Sequence, residues 1–490
     1  MAGIGFALRS LNEQESLSDV IKSTGHAAVI AAGPWLFTIF SLLSITAFTE
    51  TIAGHDTLAT FRAVVIYAFA TSLVLTAPVT IVATRLLADR LWKREPESVR
   101  PLLIAGFTVA LAVVAVGVAA LVAYFAVPPK LAISLYAATS IVALIWVAVA
   151  FCGAVRDYRG ITWSFLVGLA ISIAGATAAA LTGFGAAGMV WGFATGLAVT
   201  FFGLTLRVFA TFPFALENPF EAIGTLLRGH RTYGYLAAGA LLGTAGIWID
   251  KWVFWFSGEG QSVQGGLIHA PLYDGAMFIA SLVIIPGLAQ FVMKLETQFF
   301  ERYQTYYGTV QGHGTIDQIE DARVSLEGFS FESLALITVA QAAIAAILAL
   351  SAPAIVEVLN LQFRQVAILR FGAIGSVFMF VFIAATSIVV FFDRRRIYFA
   401  LQGLFFALNA AFAYVSVQWG EEYYGAGYFL AALISSGVAL VVADRTMAKL
   451  NYLTFIGNNP SIVGAAASRM PSVTRLALGL LRAARKLRVQ

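Results

Sequence analysis

Residues 102–125 read LLIAGFTVALAVVAVGVAALVAYF, an apolar run that contains no charged side chain. An α-helix rises about 1.5 Å per residue, so this run is about 36 Å long and exceeds the ~30 Å hydrocarbon core of a bilayer. A second run of this kind covers residues 397–415. Both runs predict membrane-spanning helices, because lipid offers no partner to an unpaired backbone group.

The composition of the whole chain indicates the same class of protein. Of the 490 residues, 60% are hydrophobic and only 12% are charged, whereas ~25% are charged in a typical soluble domain. Too few charged side chains remain to cover a water-exposed surface. The sequence therefore predicts an all-α polytopic membrane protein.

Twelve apolar segments predict twelve transmembrane helices. A polar linker at 210–232 separates them into two six-helix lobes, 27–209 and 233–443. Six crossings return a chain to its starting side, so both lobes enter the membrane in the same orientation, and a cavity between them suits alternating access. The predicted spans are 27–48, 62–86, 102–125, 131–151, 161–181, 186–209, 233–256, 272–293, 333–352, 367–391, 397–416 and 424–443.

The basic residues predict how the chain is oriented. Lysine and arginine concentrate on the cytoplasmic side of membrane proteins. With a cytoplasmic N-terminus, 26 of the 31 basic residues lie inside, and the five outside are Arg62, Lys130, Lys251, Arg364 and Arg370. We therefore expect both termini in the cytoplasm. Acidic residues before the first span predict that no signal peptide is cleaved.

Three cytoplasmic segments flank or interrupt the two lobes. The N-terminal segment 1–26 and the basic tail 444–490 have amphipathic patterns that suit helices lying in the headgroup layer. The loop 294–332 has two interpretations, a solvated connector or a docking surface for a cytosolic partner. The candidate docking residues are its acidic side chains Glu296, Asp317, Glu320 and Asp321.

Sequence motifs of enzymes and cofactor sites are missing. The chain has no phosphate-binding loop, no H-E-x-x-H and no G-x-S-x-G, and its five histidines lack metal-ligand spacing. A single cysteine, Cys152, excludes an internal disulfide. We therefore expect no catalytic residue, no metal and no cofactor.

Glycines recur at two informative spacings. Gly183, Gly185 and Gly188 form a G-x-G-x-x-G that joins two membrane helices and follows no strand, so they predict a turn. Gly188, Gly192 and Gly196 recur every four residues, a spacing that lets helices approach closely in lipid. This surface is either static packing or a surface that slides during transport.

Prolines predict breaks in three helices. Pro34 precedes Trp35 near the start of helix one, Pro78 lies within helix two, and Pro286 lies deep in helix eight. Proline removes a backbone donor and kinks a helix, and such breaks often border the substrate cavity of transporters. Pro34, Trp35 and Pro286 are therefore candidates for a substrate path, with packing kinks as the alternative.

Helices seven and eight hold the remaining candidates for that path. Residues 249–255 read IDKWVFW, and a carboxylate within a membrane usually faces a cavity or a partner. Adjacent side chains lie about 100° apart around a helix, so Asp250 and Lys251 are predicted not to pair directly. Aromatic faces beside carboxylates form a vestibule suited to sugar rings. The candidates are Asp250, Lys251, Trp252, Trp255, Tyr273 and Asp274.

The same pattern has a second interpretation. Tryptophans near a helix end are typical of the aromatic belt at a membrane interface, where nearby charges are solvated. Arg85, at the inner end of helix two, is predicted to extend towards lipid phosphates.

These residues also resemble a known family. The similar stretches are 1–6, Gly33-Pro34-Trp35, Asp250-Lys251-Trp252 with Phe254-Trp255, 280–300 and 452–455. They resemble the PelG family of inner-membrane exopolysaccharide transporters over residues 1 to 459.

The resemblance implies a fold, an activity and partners. The fold is that of the MATE/polysaccharide-flippase (MOP) superfamily, with twelve helices in two lobes, located in the bacterial inner membrane. The implied activity is outward movement of an amino-sugar-containing polysaccharide of the Pel type. The implied partners are a cytosolic glycosyltransferase (PelF-like) and small inner-membrane scaffold proteins (PelD- and PelE-like).

Two other functional hypotheses stay open at this point. The first is a cation-coupled exporter of drugs, or an exporter of lipid-linked oligosaccharides, on the same fold, with Asp250 exchanging protons in the cation-coupled case. The second is a membrane scaffold that assembles a polysaccharide synthase and transports nothing.

Overall fold

The structure, a computed structural model, describes residues 17–155, 157–216, 218–263 and 265–457. The side chains of 17–32, 34, 35, 158 and 296 are not described. The predicted amphipathic segment up to residue 16 and the basic tail after residue 457 therefore lie outside the described residues.

The first helix group has six long helices, as the sequence predicts. Their apolar residues are distributed around the whole circumference, which is typical of helices that meet both lipid and protein. They are α1 (Leu17–Ala53), α2 (His55–Trp92), α3 (Val99–Phe125), α4 (Pro129–Cys152), α5 (Tyr158–Leu181) and α6 (Gly185–Thr211).

The second helix group follows the linker helix α7 (Pro219–Thr232). It begins with α8 (Gly234–Trp255), and a short antiparallel hairpin connects α8 to the next helix, with Gln261 opposite His269. The elements that follow are β1 (Gln261–Ser262), β2 (Ile268–His269), α9 (Pro271–Ser281), α10 (Ile284–Lys294), a π-helical turn (Leu295–Phe299), α11 (Phe300–Gln311), α12 (Ile316–Val358), α13 (Gln365–Phe391), α14 (Arg395–Trp419), α15 (Ala426–Ala448), α16 (Leu450–Tyr452) and a π-helical turn (Leu453–Gly457).

Eleven helical segments of the described chain are long and apolar enough to cross a membrane, when the run from α9 to α11 (Pro271–Gln311) is taken as one segment. The prediction of an all-α polytopic membrane protein is therefore confirmed. The predicted seventh span corresponds to α8, which is not among the eleven, because Asp250 and Lys251 lower its hydropathy. With 22 residues, α8 is about 33 Å long and long enough to cross. A twelfth crossing and the two-lobe division stay predictions.

Close packing of α5 against α6 follows from the glycine spacing. A Cβ atom on Gly192 would lie 2.2 Å from the carbonyl oxygen of Gly175, and one on Gly196 would lie 2.2 Å from that of Gly168. The backbones of α5 and α6 are therefore in direct contact at these glycines. The predicted turn between the two helices is confirmed at Gly183, where φ is 72°.

The predicted eighth span is broken into α9 and α10 by a turn at residues 282–283. A break inside a membrane leaves backbone carbonyls without helical partners. Side chains from two other helices act as the missing hydrogen-bond donors. Gln341 of α12 donates to the Val283 carbonyl, and Ser376 of α13 donates to the Ala280 carbonyl at 3.2 Å. Pro286, in the first turn of α10, lacks the donor that would continue the helix.

The described chain separates into two compact units. The larger holds residues up to 301 and 329–443, and the smaller holds 302–328 and the chain from 444 onward. Within the smaller unit, Tyr306 donates to Asn451 at 2.8 Å, and Asn451 donates to Glu320 at 2.8 Å. The predicted loop 294–332 is thus largely helical.

Candidate functional site

Asp250 is the centre of a buried polar network on α8. Its side chain is 0% exposed, and the Tyr273 hydroxyl donates to Oδ2 at 2.8 Å. Lys251 Nζ lies 3.1 Å from Oδ1 and 3.0 Å from Oδ2. The carboxylate therefore has a charged partner and a hydroxyl partner inside the larger unit.

The prediction that Asp250 and Lys251 do not pair directly is wrong. It considered only the direction in which each side chain leaves the helix, but the lysine side chain has four flexible methylene groups and can bend towards its neighbour. The Lys251 side chain curves back along the helix, so that Nζ also donates to the Ile247 carbonyl at 3.1 Å. Pairing removes most of the cost of a bare carboxylate in a membrane.

Tyr273 connects this network to the neighbouring helix α9. Its ring stacks on Phe254 with centroids 3.8 Å apart and planes 8° from parallel. The ring is only 1% exposed, so its hydroxyl is shielded from solvent and is satisfied by Asp250. The hydrogen bond and the stack together hold α8 and α9 in one arrangement.

Asp274, one position further along α9, holds Trp255. Its Oδ2 accepts from the Trp255 indole nitrogen at 2.7 Å and from the Ala270 backbone nitrogen at 3.0 Å. Its Oδ1 is buried and has no hydrogen-bond partner among the described residues. A buried carboxylate with one unpaired oxygen has capacity for a further proton or hydrogen-bond donor.

Trp255 in turn contacts the first helix group. Its ring stacks on Tyr67 of α2, with centroids 4.7 Å apart and planes 24° from parallel. The Tyr67 hydroxyl donates to the Ile268 carbonyl of the hairpin at 2.8 Å. Tyr67 carries no signal in the sequence, because a single tyrosine within an apolar helix does not indicate which residue it contacts.

The remaining path candidates lie elsewhere. Trp252 is half-buried, and no polar contact joins it to Asp250 or Asp274 among the contacts described. Pro34 and Trp35 lie in α1 with side chains outside the described set, and Pro286 lies in α10 beyond the helix break. The structure thus brings together Asp250, Lys251 and Tyr273, and beside them Asp274 and Trp255.

A second contact between the helix groups lies at the other end of α2. Arg85 pairs with Asp393 at 2.8 Å, so the prediction that Arg85 extends to lipid phosphates is wrong. The carboxylate of Asp393 attracts the guanidinium more specifically than a fluid headgroup layer does. Asp89 accepts from the Tyr233 hydroxyl at 2.7 Å.

The acidic candidates for partner docking have different surroundings. Glu320 pairs with Arg323 at 2.7 Å and accepts from Asn451, so it belongs to the smaller unit's own framework. Asp317 and Asp321 are exposed. The side chain of Glu296 is not described, although its backbone lies in the π-helical turn after α10.

One titratable group lies in the hairpin between α8 and α9. Burial, and then the nearby positive charge of Arg62, lower the pKa of His269 to about 4. The imidazole is therefore neutral at pH 7.

The fold is that of the MATE proteins, as three solved structures show. A MATE protein in complex with MaL6 has a TM-score of 0.60 and 15% identity, covering 87% of this chain and 97% of its own. An outward-facing multidrug-resistance MATE transporter of the MOP superfamily gives 0.58 and 16%, covering 87% and 96%. A MOP transporter from Pyrococcus furiosus gives 0.61 and 14%, covering 87% and 96%.

The sequence assigns the chain more narrowly than the fold does. Residues 1–455 match the family described as "PelG: Putative exopolysaccharide Exporter (EPS-E)". The chain belongs to this family, as the resemblance in its sequence implied. A comparison with curated proteins found no match.

Proposed function

We propose that this protein exports an amino-sugar-containing polysaccharide across the bacterial inner membrane through a passage between its two helix groups. The family match over residues 1–455 is the observation that carries the proposal. The MATE-type fold supports it, because transporters with paired helix bundles carry substrates between the bundles.

The buried networks of α8 and α9 support a role in that passage. They lie where the second helix group meets α2 of the first, through the contact of Trp255 with Tyr67. Aromatic rings and carboxylates are the groups that bind sugar rings and amino groups. In this conformation Asp250 and Asp274 are buried, so a passing substrate reaches them only in another conformation.

The test is export of polymer by purified components. Proteoliposomes would contain this protein with its candidate glycosyltransferase, supplied with radiolabelled sugar nucleotide. We expect labelled polymer to become accessible to a glycosidase on the opposite side of the membrane only when both proteins are present. Polymer that stays on the side of synthesis would contradict the proposal.

We further propose that the glycosyltransferase contacts the segment 294–332. The exposed carboxylates of Asp317 and Asp321 support this idea, since neither takes part in the ion pairs found among the described residues of the smaller unit. The double variant Asp317→Asn/Asp321→Asn should lower co-purification of the enzyme, while Glu97→Gln, at an exposed carboxylate between α2 and α3, serves as a control outside the segment. Unchanged co-purification would reject this docking surface.

A second candidate function is cation-coupled export of small molecules on the same fold. The unpaired Oδ1 of Asp274 favours it, because a buried carboxylate of this kind can exchange a proton. Uptake of an organic cation into everted vesicles, driven by a pH gradient and lost in Asp274→Asn, would support this function. A scaffold without transport predicts neither uptake nor polymer export.

A further inference from the structure

We propose that four aromatic rings close one end of the passage between the helix groups, and that they must separate for each transport event. We call them the aromatic gate: Tyr67 and Phe125 from the first group, Trp255 and Phe256 from the second. The basic residues predict that this end faces away from the cytoplasm. The inference rests on the proposed function.

Both pairs of rings join one helix group to the other. Tyr67 stacks on Trp255 at 4.7 Å, and Phe125 lies 6.4 Å from Phe256 with planes 15° from parallel. Tyr67 also meets the edge of Phe125 at 5.6 Å. The four rings therefore form one continuous patch and not two separate contacts.

The backbone after α8 reinforces this patch. The Tyr67 hydroxyl donates to the Ile268 carbonyl, so the ring is fixed by its tip as well as by its face. A Cβ atom on Gly266 would lie 2.3 Å from the Phe125 carbonyl oxygen. The chain of the second group thus lies directly against the end of α3, and a polymer has no room to pass between them.

Asp274 acts as a positioning residue for the gate. It fixes the Trp255 ring through the 2.7 Å hydrogen bond to the indole nitrogen, and its own place is fixed by the Ala270 backbone nitrogen. Trp255 is 3% exposed and Tyr67 is 4% exposed. Their stacked faces become available to a sugar ring only when the two helix groups move apart.

The first test is a reversible cross-link across the gate. In a Cys152→Ser background, Phe125→Cys and Phe256→Cys are combined and treated with a short bifunctional maleimide that contains a reducible bond. Both positions are accessible to the reagent, since Phe256 is 59% exposed and Phe125 is half-buried. We expect the cross-link to abolish polymer export and reductant to restore it.

The matched control is a cross-link within the second helix group. Phe371→Cys with Phe429→Cys joins α13 and α15, whose rings lie 6.2 Å apart. This cross-link should leave export unchanged, because the gate does not separate these two helices. Single-cysteine variants treated with the same reagent control for modification alone.

Two outcomes would overturn the gate. Export that continues at the uncross-linked rate in fully cross-linked Phe125→Cys/Phe256→Cys protein would show that the rings need not separate. Failure of that pair to cross-link, while Phe371→Cys/Phe429→Cys does, would show that the two groups do not meet there. If the parent protein with its native Cys152 exports no polymer, the proposed function fails, and the gate is then judged by the second test alone.

The second test does not depend on transport. In the Cys152→Ser background, Ala270→Cys places a thiol at a fully buried site beside Asp274. Its reaction with a membrane-impermeant maleimide should be slow, and Tyr67→Ala should raise the rate at least tenfold. Tyr67→Phe retains the ring and should raise it less. Equal rates in the Tyr67→Ala and parent proteins would reject the gate.

Discussion

At the scale of single residues, the buried charges of α8 are balanced within the protein. Asp250 is shared between a lysine on the same helix and a tyrosine on the next. The sequence located this carboxylate but predicted the wrong relation to Lys251. Periodicity describes where a side chain starts on a helix, and a flexible side chain can end elsewhere.

The Asp250–Lys251 pair should be strongly coupled in stability. Either Asp250→Asn or Lys251→Met leaves one buried charge without its partner, which costs about 3–5 kcal/mol. The double variant removes both charges and should recover most of that loss. Chemical unfolding in detergent micelles measures all three, and additive losses would show that the pair is not coupled.

The same variants separate folding from export. If Asp250 takes part in transport, Asp250→Asn lowers export at normal membrane level, and the double variant stays defective although its stability recovers. Tyr273→Phe is the matched control, since it removes one hydrogen bond to Asp250 and keeps the stack on Phe254. Normal export by the double variant would exclude Asp250 from the mechanism.

His269 should make stability fall in acid. Its pKa is about 4 in the folded protein and ~6.5 when unfolded, so the unfolded chain binds the proton more readily. The neutral imidazole's contribution is complete above pH 6.5 and is lost as pH falls towards 4. Compared with the parent protein, His269→Asn should show a smaller loss of thermal stability between pH 7 and pH 5. Parallel pH profiles would contradict this.

At the scale of elements, small residues and polar side chains decide how the helices meet. Glycines recurring at four-residue intervals predicted a close approach, and α5 and α6 make it backbone to backbone. The break between α9 and α10 was expected from Pro286. Gln341 and Ser376, which satisfy the exposed carbonyls, carried no signal in the sequence because they come from helices far along the chain.

Two glycine substitutions test the α5–α6 contact. Gly192→Ala places a methyl group on the backbone of Gly175 and should destabilise the protein by about 1–3 kcal/mol. Gly437→Ala, inside α15, meets no atom within 4 Å and should be neutral or stabilising by about 0.5–1 kcal/mol. Thermal unfolding in detergent compares them, and equal effects would reject close packing as the role of Gly192.

At the scale of the whole molecule, α2 contacts the second helix group near both of its ends. Tyr67 meets Trp255, and Arg85 meets Asp393, separated by about 27 Å along the helix. A helix attached to the opposite group near both ends suits a protein whose two groups rock against each other, since each contact can open while the other holds.

Labelling from one side of the membrane tests the crossing of α8 and the orientation together. Between Lys93 and the start of α8 the chain crosses the membrane four times, through α3, α4, α5 and α6, and so returns to the side on which Lys93 lies. Lys93→Cys and Gln261→Cys therefore lie on opposite sides only if α8 also crosses. In a Cys152→Ser background, an impermeant maleimide added to spheroplasts should label Gln261→Cys and not Lys93→Cys. Labelling of both or of neither would remove α8 from the spans.

The amino-acid sequence by itself determined the class of protein, most of its spans and its family. A long apolar run is a local property of the sequence. In lipid such a run forms a helix, because only a helix pairs all of its backbone groups within the segment, so composition is enough to predict membrane helices. The family match likewise is a property of the order of residues along the chain, over residues 1–455.

Only the tertiary structure decided which side chains meet. Trp255 bonds Asp274 and stacks on Tyr67, Arg85 pairs with Asp393, and Glu320 bonds Asn451. Most of these partners are more than a hundred residues apart in the chain, and a polar side chain inside an apolar helix has many possible partners of equal chemistry. Helix packing selects one of them, because close contact between whole helices fixes distances that no local pattern encodes.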